Sequence, residues 1–137
     1  MSQENVEIVR RVYDAIAHGD TATVLAAYDP EVEWELTRSP FEHMLKQDVY
    51  RGHDGIRSLT RERYEEAWAE IADNLDEVID AGSQVITVVT TRGRGRASGA
   101  EVDRTHAGVW TFREGKIVRV EWVGTRAEAL EAVGLRE

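Results

Sequence analysis

The chain has 137 residues, 42% of them apolar and 31% charged, the make-up of one soluble-type globular domain with a real core. A formal net charge of −9 argues against nucleic acid and against an anionic membrane as partners, since phosphates demand a basic face. The lack of cysteine excludes disulfides, thiolate metal sites and cysteine nucleophiles. The opening MSQENVEIVRR carries no apolar signal core, and no run approaches the ~18 apolar residues of a membrane span, so a cytoplasmic location is expected.

Ser2 is placed to cap a first helix, with Glu4 in the turn where the helix dipole favours negative charge. Val6, Val9, Val12, Tyr13 and Ile16 follow at helical spacing and give that helix one apolar stripe. Gly19 ends it. Asp20 caps a second helix, Thr21 to Tyr28, which stops at Asp29-Pro30 because the residue before proline avoids the helical region. Val32, Trp34 and Leu36 alternate with Glu31, Glu33 and Glu35, the pattern of a half-buried strand with an acidic outer face.

Residues 37–50 read as irregular, with Ser39-Pro40 capping one short turn that carries Phe41, Met44 and Leu45. Such a segment is either a loop folded over the core or a lid on a pocket mouth. The run Arg51-Gly52-His53-Asp54-Gly55 is turn chemistry leading into a third helix, about Ile56 to Trp68. Its inner side holds Ile56, Leu59, Arg63, Tyr64, Ala67 and Trp68, while Arg61, Glu62, Glu65 and Glu66 face water.

A weakly alternating strand over 71–79, a turn at 80–83 and a strand rich in β-branched residues from Val85 to Thr91 follow. The ribbon Arg92-Gly93-Arg94-Gly95-Arg96 is the one basic patch. Without interleaved aromatics it reads as a solvated hairpin tip whose arginines face Glu101 and Asp103. Glu101 to Val123 is a β-hairpin signal: EVDRTHAGVWTF, the turn REGK, then IVRVEWV.

Alternation puts Val102, Arg104, His106, Gly108, Trp110 and Phe112 on one face of the first hairpin strand, and Val118, Val120 and Trp122 on one face of the second. These are the bulkier faces and are expected inside, leaving Val109, Thr111, Ile117, Arg119, Glu121 and Val123 outside. An apolar wall carrying a few polar groups is how small-molecule pockets are lined. The capping box Thr125-Arg126-Ala127-Glu128 then opens a short helix with Ala129, Leu130 and Val133, closed by Gly134. The order of elements is that of a single α+β domain over residues 1–137.

Three segments, VYDAIAHGDTATVLAAYDPEVEW, YRGHDGI and AGVWTFREGKIVRVEWVGTRAEALEAVGL, resemble the SnoaL-like branch of the nuclear transport factor 2-like superfamily. The resemblance spans nearly the whole chain. It implies a cone-shaped, curved antiparallel sheet wrapped around three N-terminal helices, an internal apolar pocket, a short C-terminal helix and a homodimer built on the sheet's outer face. It does not fix an activity, because the superfamily hosts isomerases, cyclases, epoxide hydrolases, dehydratases and non-catalytic binders.

The acid–base positions of ketosteroid isomerases fall here on Trp34, Val12 and Gly108, and those of limonene-type epoxide hydrolases on Val89, Thr91 and Trp122. Neither reaction transfers. The histidine and acid of the SnoaL-type cyclases suggest His106 and Glu121, but strand parity sets these two on opposite faces.

His106, with Arg104 beside it, is therefore the candidate for a chemical role, as a ring titrating near neutrality. The bland alternative is a buried histidine bonded to Thr91 or to a backbone carbonyl. Tyr13, Trp34, Tyr64, Trp68, Thr91, Trp110, Val120 and Trp122 are the candidate ligand contacts. His18, His43 and His53 lack metal-ligand spacing, so no metal is expected, and no fingerprint for a cofactor is present. Three readings follow: a binder of a small hydrophobic or aromatic molecule, a cofactor-free isomerase, cyclase or hydrolase using His106, or a dimeric interaction protein with a collapsed cavity.

Overall fold

A computed structural model describes residues 2–41 and 44–135; His43 and the side chain of Ser2, the expected first cap, lie outside what is described. The first helix, α1 (Ser2–Ala17), buries Val9 and Val12 as its stripe requires. Asp20 caps α2 (Thr21–Ala27), accepting from the Thr23 backbone N–H at 3.1 Å. The chain then enters β1 (Tyr28–Glu35) earlier than the alternating residues indicate, so Tyr28 belongs to the strand and not to the helix. Pro30, which cannot donate a ladder bond, sits where the pairing of β1 with the sheet is irregular, between Tyr28 and Glu33.

Where the segment read as irregular meets the turn at Arg51, residues 49–51 form a short β2 (Val49–Arg51) that pairs antiparallel with β1. Gly52, at φ +69°, turns the chain into α3 (Gly52–Arg61), and a Cβ there would also meet the Pro30 carbonyl at 3.1 Å. A wider, π-helical turn (Glu62–Ala67) continues it. Two expectations for this helix fail. Trp68 is the first residue of β3 (Trp68–Asp80), because pairing with Gly95 overrides helical spacing. Glu62 is buried, not solvated: it follows Leu59 by three residues, on the flank of the buried stripe, and the loop before β2 folds over it. There it accepts from the Tyr50 hydroxyl at 2.5 Å and from the Lys46 N–H at 3.1 Å.

Beyond β3 come β4 (Gln84–Gly95), β5 (Glu101–Arg113), β6 (Lys116–Val123) and α4 (Arg126–Ala132). The six strands form one curved, unclosed sheet in the order β2-β1-β6-β5-β4-β3, antiparallel throughout except where β1 runs parallel to β6. The arginine ribbon ends β4, with Arg92 on Asp103 at 3.1 Å as expected and Arg94 on Glu70 at 3.1 Å instead of Glu101.

A bulge corrects the expected faces of β6. Phe112 pairs with Ile117 and Thr111 with Arg119, so Val118 is the extra residue. Ile117 consequently turns into the main core, while Val118 lies outside it.

The main core fills the hollow between the sheet's inner face and α1, α2 and α3. A second cluster lies on the outer face, where Ala129 and Leu130 of α4 cover Ile86, Ala107, Val109 and Val123. Val109 and Val123 are thus outward, as parity requires, but already buried under α4. Gly108 is what lets Trp122 lie flat on the sheet: a Cβ there would stand 2.9 Å from the indole ring. Among the described residues no helix is long and apolar enough to cross a membrane.

Candidate functional site

Strand register builds the site. Asp73 on β3 stands directly opposite Thr91 on β4, and His106 on β5 stands opposite Val89, two residues along from Thr91 on the same face. Diagonal neighbours on a sheet are within reach of polar side chains. Thr91 Oγ1 accordingly lies 2.6 Å from Asp73 Oδ1 and 2.9 Å from His106 Nε2. The buried histidine bonded to Thr91, offered above as the bland alternative, is what this register makes.

Proton accounting then fixes the ring. A carboxylate only accepts, so the single Thr91 proton goes to Asp73, and Thr91 Oγ1 must accept from His106 Nε2–H. The tautomer is therefore Nε2–H, and the second nitrogen, Nδ1, carries a lone pair. That atom is buried and has no hydrogen-bond partner. Burial lowers the His106 pKa to about 4. The Arg63 charge acts in the same direction, the Asp73 carboxylate opposes it, and Arg104 adds a smaller depression. The expectation of a ring titrating near neutrality is corrected: at pH 7 this histidine is a neutral acceptor.

Asp73 is held from behind by a bidentate ion pair with Arg63, with Nη2 to Oδ1 and Nη1 to Oδ2 both at 2.8 Å. Burial pushes the Asp73 carboxyl up, but the Arg63 charge and the bonds from Arg63 and Thr91 outweigh it and keep the group below its ordinary value. Burial likewise disfavours the Arg63 cation, and the Asp73 charge together with Tyr64 and the hydrogen bond to Asp73 more than restores it.

Aromatic rings wall this polar corner. Phe41 meets the His106 ring edge-on at 5.0 Å, and the Trp122 ring lies tilted against it at 5.0 Å. Trp34 and Trp110 continue the wall at 5.5 and 6.1 Å from Trp122, and Tyr13 adds its ring at 5.8 Å from Trp110. Trp122 Nε1 is a second buried group without a partner. Trp34 Nε1 also lacks a well-formed partner, though the indole is near enough to the Tyr28 hydroxyl to ease that phenol's ionisation. These rings fill most of the hollow and leave a recess of about 50 Å³.

Of the residues singled out from the sequence, Tyr13, Trp34, His106, Trp110 and Trp122 line the recess together. Thr91 stands behind it as the link to Asp73. Val120 is fully buried in the main core, and Trp68 backs Phe41 at 5.8 Å; neither is part of the wall. Arg104 shares the face of His106 but is exposed at the sheet's edge and touches the recess only through its charge. Glu121 faces away, near Arg119 at 3.9 Å. Tyr64 lies at a separate space of about 280 Å³ between α1, α2 and α3. Asp73, the acid of the site, was not singled out, although it sits in phase with Ile71 and Leu75 on the half-buried face of β3. The loop over the core supplies Ser39, Phe41 and Leu45.

Residues 9–120 match the SnoaL-like domain. The chain belongs to the SnoaL-like family. Among solved structures it is similar to a nuclear transport factor 2-like protein of unknown function from Burkholderia pseudomallei, at 26% identity over 96% of this chain and 98% of that one, TM-score 0.76. A nuclear transport factor 2-like protein from Burkholderia thailandensis is 32% identical over 90% and 95% of the two chains, TM-score 0.74. A protein named as a candidate polyketide cyclase from Sinorhizobium meliloti shares the fold at 20% identity, over 89% and 98%, TM-score 0.65. This SnoaL-like chain therefore carries the superfamily's curved sheet and helices.

Two consequences are measurable. An unfolded histidine binds its proton near pH 6.5, whereas His106 in the fold does so only near pH 4. Its contribution is complete above pH 6.5 and is lost as pH falls towards 4, about 3 kcal/mol in all. Urea titrations from pH 7 to pH 4 should show wild type losing that much more stability than His106→Gln; equal slopes would mean that the ring titrates normally. Separately, Asp73→Asn strands a buried guanidinium and should cost about 3–5 kcal/mol, most of it recovered when Arg63→Leu and Asp73→Leu are combined. Chemical denaturation of the single and double variants decides this.

Proposed function

We propose that this SnoaL-like protein binds a small, largely apolar or aromatic molecule bearing a hydroxyl or N–H group, which donates to His106 Nδ1. The observation that carries the reading is the unpartnered, buried Nδ1 of a ring that lines the recess, its tautomer set by Thr91 and Asp73. A buried acceptor left unpaired costs about 1–3 kcal/mol, a cost that a donor on a ligand removes. The surrounding indoles favour a flat, apolar body, and the Trp122 N–H is a second buried group that a ligand oxygen would satisfy. Fold relatives named as candidate polyketide cyclases fit a pocket of this kind.

Isothermal titration or NMR shift mapping with phenol and toluene, equal in shape, tests the reading. Wild type should prefer phenol by about tenfold, and His106→Phe should bring the ratio close to one. Equal binding of the two by wild type would sink it.

A second reading, a cofactor-free isomerase, cyclase or hydrolase, draws support from Asp73. Its charge, relayed through Thr91, favours the imidazolium that forms if Nδ1 takes a proton from a substrate. Turnover on that reading requires the neutral ring, so its rate should rise with pH through about 4 and level off above. A rate that falls over the same interval excludes His106 as the base.

A further inference from the structure

The recess at His106 is too small for the ligand proposed for it. At about 50 Å³ it accepts a hydroxyl group but not the ring that carries it, since a dry cavity that takes up benzene measures roughly 150 Å³. The body of any ligand whose donor reaches Nδ1 must occupy space alongside. That space exists. The chamber of about 280 Å³ between α1, α2 and α3 shares four lining residues with the recess, namely Ile16, Trp34, Leu59 and Arg63.

We infer that the recess and this helix-side chamber are two compartments of one binding site, taking an elongated molecule with a hydrogen-bond donor at its buried end and an apolar ring system in the outer chamber. The inference rests on the binding reading above and adds the ligand's length and its second point of recognition. Val24 and Leu25 of α2 give the chamber an apolar side, and Thr60 stands on its exposed α3 side. Arg63 is the one charged residue common to both compartments. Its guanidinium is committed to Asp73 at 2.8 Å and reaches the Tyr64 hydroxyl at 3.3 Å, so the partition presents a neutralised ion pair to an apolar ligand.

Phenol and 4-phenylphenol carry the same donor and differ by one ring, so their affinity ratio reads how much of a longer ligand the outer chamber accepts. Wild type should bind 4-phenylphenol at least ~10-fold more tightly, the gain expected when a second ring leaves water. In Thr60→Trp, which fills the chamber from α3, the ratio should fall towards one; Leu25→Trp fills it from α2 and should do the same. Thermal melts of both variants confirm that they are folded. Phenol binding without a gain for the longer molecule, or a ratio that survives in both folded tryptophan variants, overturns the two-compartment site while leaving the binding reading intact. Binding of neither probe overturns both.

Discussion

The ion pair between Arg63 and Asp73 is the interaction on which the rest of the site depends. Two charges that are largely removed from water persist only as partners with their remaining bonds satisfied. Here the pair ties the π-helical turn that follows α3 to the middle of β3, and the carboxylate's spare capacity draws in the Thr91 proton. That single commitment propagates. Thr91 can then only accept from His106, His106 can hold its proton only on Nε2, and Nδ1 is left buried without a partner. A charge balance two residues away thus decides which nitrogen of an imidazole carries the proton.

The apolar half of the site obeys a packing constraint. Three indoles and a phenol ring converge on the inner face of β1, β5, β6 and α1, and they fit because Gly108 offers no side chain beneath Trp122. The rings exclude water from the polar corner, and the same exclusion holds the His106 pKa down and keeps the ring neutral. Low polarity strengthens the bonds that are made and raises the cost of those left unmade. The indole wall and the polar corner are in this sense one device: each would mean little without the other.

Loop and helix complete the enclosure. Glu62, placed by helical spacing in water, instead anchors the loop over the core through the Tyr50 hydroxyl and the Lys46 N–H, and the Tyr50 pKa is pushed up to about 12 by burial and by that carboxylate. The loop that supplies Ser39, Phe41 and Leu45 to the wall is therefore held by a buried acid on a different element.

The sequence by itself determined the α+β class, the hairpin from Glu101 to Val123, the inward direction of His106, Trp110 and Trp122, the Asp20 and Thr125 caps, and the opposition of His106 and Glu121. All of these follow from local periodicity, which needs only neighbouring residues. Only the tertiary structure decided what periodicity cannot carry. The bulge at Val118 reversed the expected sides of Ile117 and Val118, and pairing with Gly95 pulled Trp68 out of a helix. The register of β3 on β4 set Asp73 against Thr91, giving His106 an acidic partner from a strand that alternated too weakly to be trusted. A side chain's proton state is settled by what stands across from it, and that is a property of register and burial between segments far apart in the chain.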